Sequence, residues 1–368
     1  VQLSKCLCVL ILAACKSDPA NMTVADEAGP PPVEDSGVDA APPVLPVALV
    51  PPAGALPLDA ASMLPVATGD PMDYDGTLVE DTSTGTIAVL FSRFLSQQTF
   101  LAEVRMAHAD ASGKFGASEH VGFSADPIVA GPRALVRGDE PFVYFMHGDQ
   151  AKNKSRLARA RFTNGAFETP TDLTLADSFA GMFAWPSPAL RGDGVVLAYD
   201  HYGSSQYGAL GDGKSFGAAT RYGGGVQGRV ASMADGTLVA TWQNGIDPSQ
   251  ISYVRISTDG VTWTPDQQLT TKLNVHDVSP FRRADGGVDI YYISSDSASG
   301  FRIIRRAAHA DATLGPEEIV TSDAAGSFTQ PHPHRLHDGT IGLVFAKQVT
   351  SNVDTDTYLA RIASDGPP

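Results

Sequence analysis

The chain has 368 residues, of which 43% are hydrophobic and 18% charged, enough apolar surface to build a sizeable core and too much for a chain that stays disordered. A formal net charge of −15 excludes nucleic acid as the expected partner, because phosphate binding needs a basic face, and it disfavours direct adhesion to an anionic membrane surface. All three cysteines fall at positions 6, 8 and 15, so the remainder has no thiol, no disulfide and no Cys-based metal site.

In chain order, the first element is a short apolar run, 7–14, behind Lys5, too short to span a bilayer as a stable helix. It ends in Leu12-Ala13-Ala14-Cys15, which resembles the lipobox of bacterial lipoprotein signals. That resemblance implies a signal peptide over 1–14, cleavage before Cys15 and a diacylglycerol on its thiol. The alternative is an ordinary secretory signal with an incidental cysteine. Residues 15–57 carry Pro30-Pro31-Pro32, Pro42-Pro43, Pro46 and Pro51-Pro52 among Ala, Asp and Glu. Such a stretch buries too little surface to offset its ordering entropy and reads as a disordered Pro/Ala-rich tether. The expected address is the bacterial cell envelope, lipid-anchored at the outer membrane or cell surface, with no membrane contact except the anchor.

From about Asp73 onward one pattern recurs six times: an apolar strand, a Gly or Asp-Gly turn, a second strand rich in β-branched and aromatic residues, a third strand, and another polar turn. The first turns centre on Gly85, Asp139, Gly194, Gly236, Gly286 and Gly339, roughly 42 to 55 residues apart, the period of a four-stranded propeller blade. The strands after them, among them Val195-Val196-Leu197-Ala198-Tyr199 and Leu238-Val239-Ala240-Thr241-Trp242, suit burial on both faces between stacked sheets. The last unit supplies three strands before the sequence given ends, and the segment 62–67 matches the missing fourth in kind. The expectation is an all-β, six-bladed β-propeller of four-stranded blades, one domain over 58–368, with 62–67 completing the last blade.

One turn carries a signature. Ser257-Thr258-Asp259-Gly260-Val261-Thr262-Trp263 resembles the Asp-box, or neuraminidase repeat, of sialidase-like propellers, with one residue fewer between Asp and Gly. Weaker relatives stand around Asp110, Asn164 and Asp212. The resemblance implies a sialidase-like propeller with these turns on the rim away from the ligand site. Sialidases also use three arginines on a carboxylate, a Tyr nucleophile with a Glu partner, and an Asp acid/base. Their early Arg-Ile-Pro motif has no counterpart, the corresponding stretch reading Asp73-Tyr74-Asp75-Gly76-Thr77-Leu78.

In a propeller, function gathers where the innermost strands begin, here 72–78, 131–135, 185–190, 227–232, 276–283 and 330–335. Asp73, Asp75 and Asp277 are the candidate catalytic carboxylates, with turn-capping as the competing reading. His276, Arg282, His332, His334 and Arg335 are the candidate ligand-binding residues. Arg133, Arg229, Arg282 and Arg335 all lie near inner strands, where they suit an anionic ligand. His332 and His334 share one face of a strand and could reach one metal with His276, or line a polar rim without one. No metal and no cofactor is expected. Phe183, Trp185, Tyr202 and Tyr207 could stack on sugars or pack between blades.

These features predict a monomeric binding module for an extracellular ligand, a glycan or a protein or peptide, without catalysis. The first alternative is an exo-acting glycoside hydrolase of sialidase type, and the second a structural platform for envelope proteins.

Overall fold

The computed structural model describes residues 53–363, apart from 70–71, 82–84, 97–100, 153, 177–184, 202–204, 246–248, 273, 298–299, 323–324 and 352–353. The expected signal peptide, Cys15, most of the tether, Phe183 and Tyr202 lie outside the described residues.

The chain is all-β. Each unit begins with an inner strand: Asp73–Asp81, Ile128–Arg137, Ser187–Arg191, Val226–Ser232, Val275–Arg282 and Phe328–Arg335. Each inner strand pairs antiparallel with a second strand, such as Thr86–Ser96 or Val288–Ser297, and that one with a third. Short outer pieces such as Gln267–Gln268 and Glu318–Ile319 follow, and strands this brief leave little exposed edge. The 171–175 segment is split: Thr171–Asp172 pairs within the second unit, whereas Thr174–Leu175 runs parallel to Ser215–Phe216 of the third. The first and second units also share a parallel pairing, Ala102 with Ile128.

The core is divided. Six apolar clusters each lie between consecutive units, for example Val79, Leu90 and Val104 of the first against Val143, Phe145 and Phe162 of the second. Strands sandwiched this way are apolar on both faces, which is why Ala88 to Phe91 are fully buried without alternation. The sixth cluster joins the chain's two ends: Leu78, Val89 and Phe91 pack on Val344 and Leu359. Met63–Ala67 pairs antiparallel with Asp354–Ile362, so it supplies the outer strand of the last unit. Upstream, Leu58 is fully buried, its amide donates to Val320 O, and Gly54 bridges to Ile362. Among the described residues, contacts with the body are thus already present at Gly54, upstream of the 58–368 range expected for the domain.

Neighbouring inner strands touch in chain order, and Phe328–Arg335 touches Asp73–Asp81. Their two ends differ. One end carries the Gly and Asp turns and is called here the turn end. The other, where each inner strand begins, is the bulge end, for a reason that defines the site.

Candidate functional site

Five of the six inner strands slip register near their start, between Tyr74 and Thr77, Ala130 and Arg133, Val226 and Arg229, His276 and Ser279, and Thr329 and His332. At each slip one residue takes a left-handed backbone: Asp75 (φ 55), Gly131 (φ 64), Gln227 (φ 55), Asp277 (φ 54) and Gln330 (φ 52). These are repeated β-bulges, which re-aim side chains and free a backbone amide from the ladder. Gly131 is required, since a Cβ there would run into the Trp185 ring.

The freed amides are bound across unit boundaries. Gly131 N donates to Ser92 Oγ at 2.9 Å, Gln227 N and Gly228 N to Asp200 at 3.1 Å each, and Asp277 N to Gln243 Oε1 at 2.9 Å. Gln330 N donates to Asp277 Oδ2 at 3.1 Å, and Asp75 N to Gln330 Oε1 at 2.7 Å. The last link joins the sixth unit to the first. Buried donors left unsatisfied are costly, so each latch fixes a neighbour's position.

Beyond the bulges, charge converges on one atom. Arg133 Nη2 lies 2.6 Å from Asp75 Oδ1, Arg229 Nη2 3.7 Å and His332 Nε2 3.9 Å. All four residues are more than nine-tenths buried and come from four different units. Arg133 Nε, Arg229 Nε and His332 Nε2 have no hydrogen-bond partner among the described residues. Burial, reinforced by Arg229 and only partly opposed by Asp75, lowers the Arg133 guanidinium to about 10. Burial and then the arginines push His332 well below its ordinary value, and burial with Arg133 pushes His334 down to about 3, so both imidazoles are neutral. His332 Nδ1 meets Ser279 Oγ at 3.3 Å, and His334 Nε2 meets Thr77 Oγ1 at 3.2 Å.

The other expected carboxylates are likewise engaged. Asp73 is fully buried in a two-pronged pair with Arg93, at 2.8 and 3.0 Å. Asp277 Oδ2 accepts from Thr329 Oγ1 and Gln330 N, with His276 Nδ1 at 3.3 Å. Burial raises the Asp277 carboxyl, but His276, Thr329 and Gln330 together hold it below the ordinary value. Burial, with Asp277 adding to it, drives Tyr74 up to about 12.

Two expected ligand residues stand apart from this group. Arg282 is exposed at the turn end of its strand, and Arg335, also toward that end, lies 5.2 Å over the Phe281 ring and donates to Gly339 O. The residues that do converge include several that sequence reasoning left out: Arg93, Ser92, Asp200, Gln243, Thr329 and Gln330. Asp200 is the most perturbed of these, pushed up to about 6 by burial although Arg229 and two amides oppose it. Their signal was positional. Ser92, Asp200 and Gln243 occupy equivalent second-strand positions, which only the bulge register reveals.

Among the described residues no group of three or more His, Cys, Asp or Glu is placed to hold a metal. His332 and His334 face two guanidinium-influenced surroundings rather than a shared acidic seat. Trp185 packs on Gly131, and Tyr207 stacks on Tyr199 at 6.3 Å.

No family model and no curated protein matches the chain. Solved structures do. A Dyadobacter fermentans protein of unknown function aligns with a TM-score of 0.64 at 13% identity, over 83% of this chain and 98% of that one. The NanB sialidase of Streptococcus pneumoniae gives 0.57 at 9% identity, over 86% and 70%. The α-L-arabinofuranosidase Arb93A of Fusarium graminearum gives 0.56 at 10%, over 81% and 97%. The fold is thus that of sialidase-like β-propellers, a class whose solved members here include glycoside hydrolases.

Proposed function

We propose that the chain is a six-bladed propeller of four-stranded blades that binds an extracellular glycan or peptide at its bulge end without cleaving glycosidic bonds. In this reading Cys15 is acylated, the 15–57 segment is the tether, and the body is a monomer at the bacterial cell envelope. Support for six blades comes from the six inter-unit clusters and the chain-order contacts of the inner strands. The 257–263 turn supports an Asp-box: Ser257 Oγ accepts from Gly260 N, and Asp259 Oδ1 from Val261 N and Thr262 N.

The observation that carries the non-cleaving reading is the engagement of every candidate carboxylate. A glycosidase needs one carboxyl kept protonated as acid and a second free to act as base or nucleophile. Here Asp73 serves Arg93, Asp75 serves Arg133, and Asp277 serves the neighbouring unit while held ionised. The hydrolase folds of the neighbours favour the second reading, a sialidase-type glycosidase. Screening the purified full chain against glycan and peptide panels and against fluorogenic glycosides separates the two. Binding without turnover supports the module. Glycoside turnover that vanishes on Asp277→Asn overturns it.

A further inference from the structure

Adjacent residues in a regular strand point to opposite faces, so an imidazole and a carboxylate at positions 276 and 277 should not meet. The bulge changes this. With Asp277 at φ 54, its Oδ2 comes within 3.3 Å of His276 Nδ1. Asp277 is 8% exposed and anchored from the next unit by Thr329 Oγ1 and Gln330 N, and its own amide is anchored from the previous unit by Gln243. His276 is only partly buried, its ring packed edge-on against Phe301 at 5.1 Å between centroids. Its Nε2 has no hydrogen-bond partner among the described residues. His332, by contrast, is buried, and the Nε2 of the half-buried His334 is already engaged by Thr77 Oγ1.

A carboxylate fixed by other donors, an imidazole whose Nδ1 lies 3.3 Å from that carboxylate, and an opposite nitrogen with no partner among the described residues are the parts of a general-base dyad. We propose that His276, oriented by Asp277, is a proton-transfer site for hydrolysis of an acyl ester, an activity separate from the binding reading. The chemistry selects the bond. Acetal cleavage needs a protonated carboxyl to assist departure of the alcohol, which the engaged aspartates do not offer, whereas acyl carbon is attacked by water once a neutral base takes its proton. His276 Nε2 removes a proton from water as the water oxygen bonds to the acyl carbon. The ester C–O bond then breaks and the imidazolium returns that proton to the leaving alkoxide, giving acid and alcohol with no change of oxidation state.

The test is hydrolysis of a fluorogenic acetate ester by the full chain, with His276→Gln, His276→Gly and the exposed-histidine control His309→Gln. The expected result is a fall of about 100-fold or more in His276→Gln, recovery of His276→Gly on adding imidazole, and no change in the control. Equal rates in wild type and His276→Gln, or a wild-type rate no greater than that of free imidazole at the same concentration, overturn it. Because this readout uses no glycan or peptide, its failure leaves the binding proposal standing, and failure of the ligand screen leaves the dyad standing.

Discussion

Aspartates recur both where the inner strands begin and in the turns that follow the third strands, and they work over different distances. At the turn end, Asp259 accepts from Val261 N and Thr262 N, Asp212 from Lys214 N and Ser215 N, and Asp110 from Ser112 N and Lys114 N. Each serves its own turn, two to four residues on, in water. At the bulge end, Asp75 meets Arg133 and Asp277 meets Thr329 and Gln330, each more than fifty residues away and in the next unit. The turn-end aspartates shape their own turns, and the bulge-end aspartates join neighbouring units. Arginines add lighter joints at the turn end, where Arg191 donates to Gly236, Thr258 and Asp259 carbonyls of the following unit. Local rules thus build the repeat, and long-range polar contacts lock it.

The sharpest way to break this view is at the junction that joins last unit to first. A chain starting at residue 53 keeps Leu58, Met63 and Val66 in the core, and one starting at residue 68 loses all three. Each buried side chain contributes about 1.5–3 kcal/mol, and an unpaired edge on Asp354–Ile362 adds an aggregation hazard. The longer chain should unfold cooperatively near the full-length temperature, and the shorter one should fail to fold or aggregate, by circular dichroism and light scattering. Equal stability would mean that the outer strand is dispensable.

The next largest effect is expected at Asp75. Asn tolerates the left-handed backbone that Asp75 adopts, so Asp75→Asn removes charge with little strain. It leaves Arg133 buried without its ion-pair partner, at a cost of about 3 kcal/mol or more. Urea denaturation should show a lower midpoint at unchanged m-value. A loss no greater than that of a turn-end aspartate would erase the distinction between the two ends.

How far these features were legible follows the same division. Turn residues, strand runs and the 62–67 closing segment were readable because their physics is local: a Gly with positive φ, a β-branched run, a fixed period. Asp73 and Asp277 were noticed as acids at strand starts, but Arg93 and Gln330 were not seen as their partners. Sequence carries no sign of a bulge, and without the bulge Asp277 would point away from His276 and the Gly131 amide would not turn toward Ser92. Arg282 and Arg335 lie on inner strands, as the sequence predicts for ligand residues, but toward the turn end and away from the converging group. Arg133 and Arg229, two residues past their bulges, are the arginines that converge.

Acid should expose the balance of buried groups at the bulge end. His332 and His334 bind protons less readily folded than unfolded, so the unfolded chain takes up more protons as pH falls from about 6.5 toward 3, and stability is lost over that window. Asp200 runs the other way. Its folded value of about 6 exceeds the ordinary one, so its contribution falls as pH rises from about 4 to 6. Two histidines outweigh one carboxyl, and the net expectation is acid lability. Denaturation midpoints between pH 3.5 and 6.5 should climb with pH. The climb should flatten in His334→Gln and steepen in Asp200→Asn. The opposite pair of responses would assign the buried charge differently.

The smallest effect belongs to the turn end. Asp259 is exposed, and the amides of Thr262 and Val261 hold its carboxyl well below the ordinary range, so it is ionised at any physiological pH. Its partners are backbone groups that water can also satisfy, and Gly260 beside it already supplies the positive φ of 81° that the turn needs. Asp259→Asn keeps a side-chain oxygen for the same amides and should shift the melting temperature less than any change above. Asp259→Ala should loosen the 257–263 turn and, through it, the seat of the Arg191 guanidinium, without touching the ester hydrolysis expected of His276. Amide hydrogen exchange would then rise at Val261 and Thr262 and stay unchanged at Gln330 and Asp75. Exchange that spread to the bulge end would show that the two ends are coupled through the sheets, and that the turns do more than close their own hairpins.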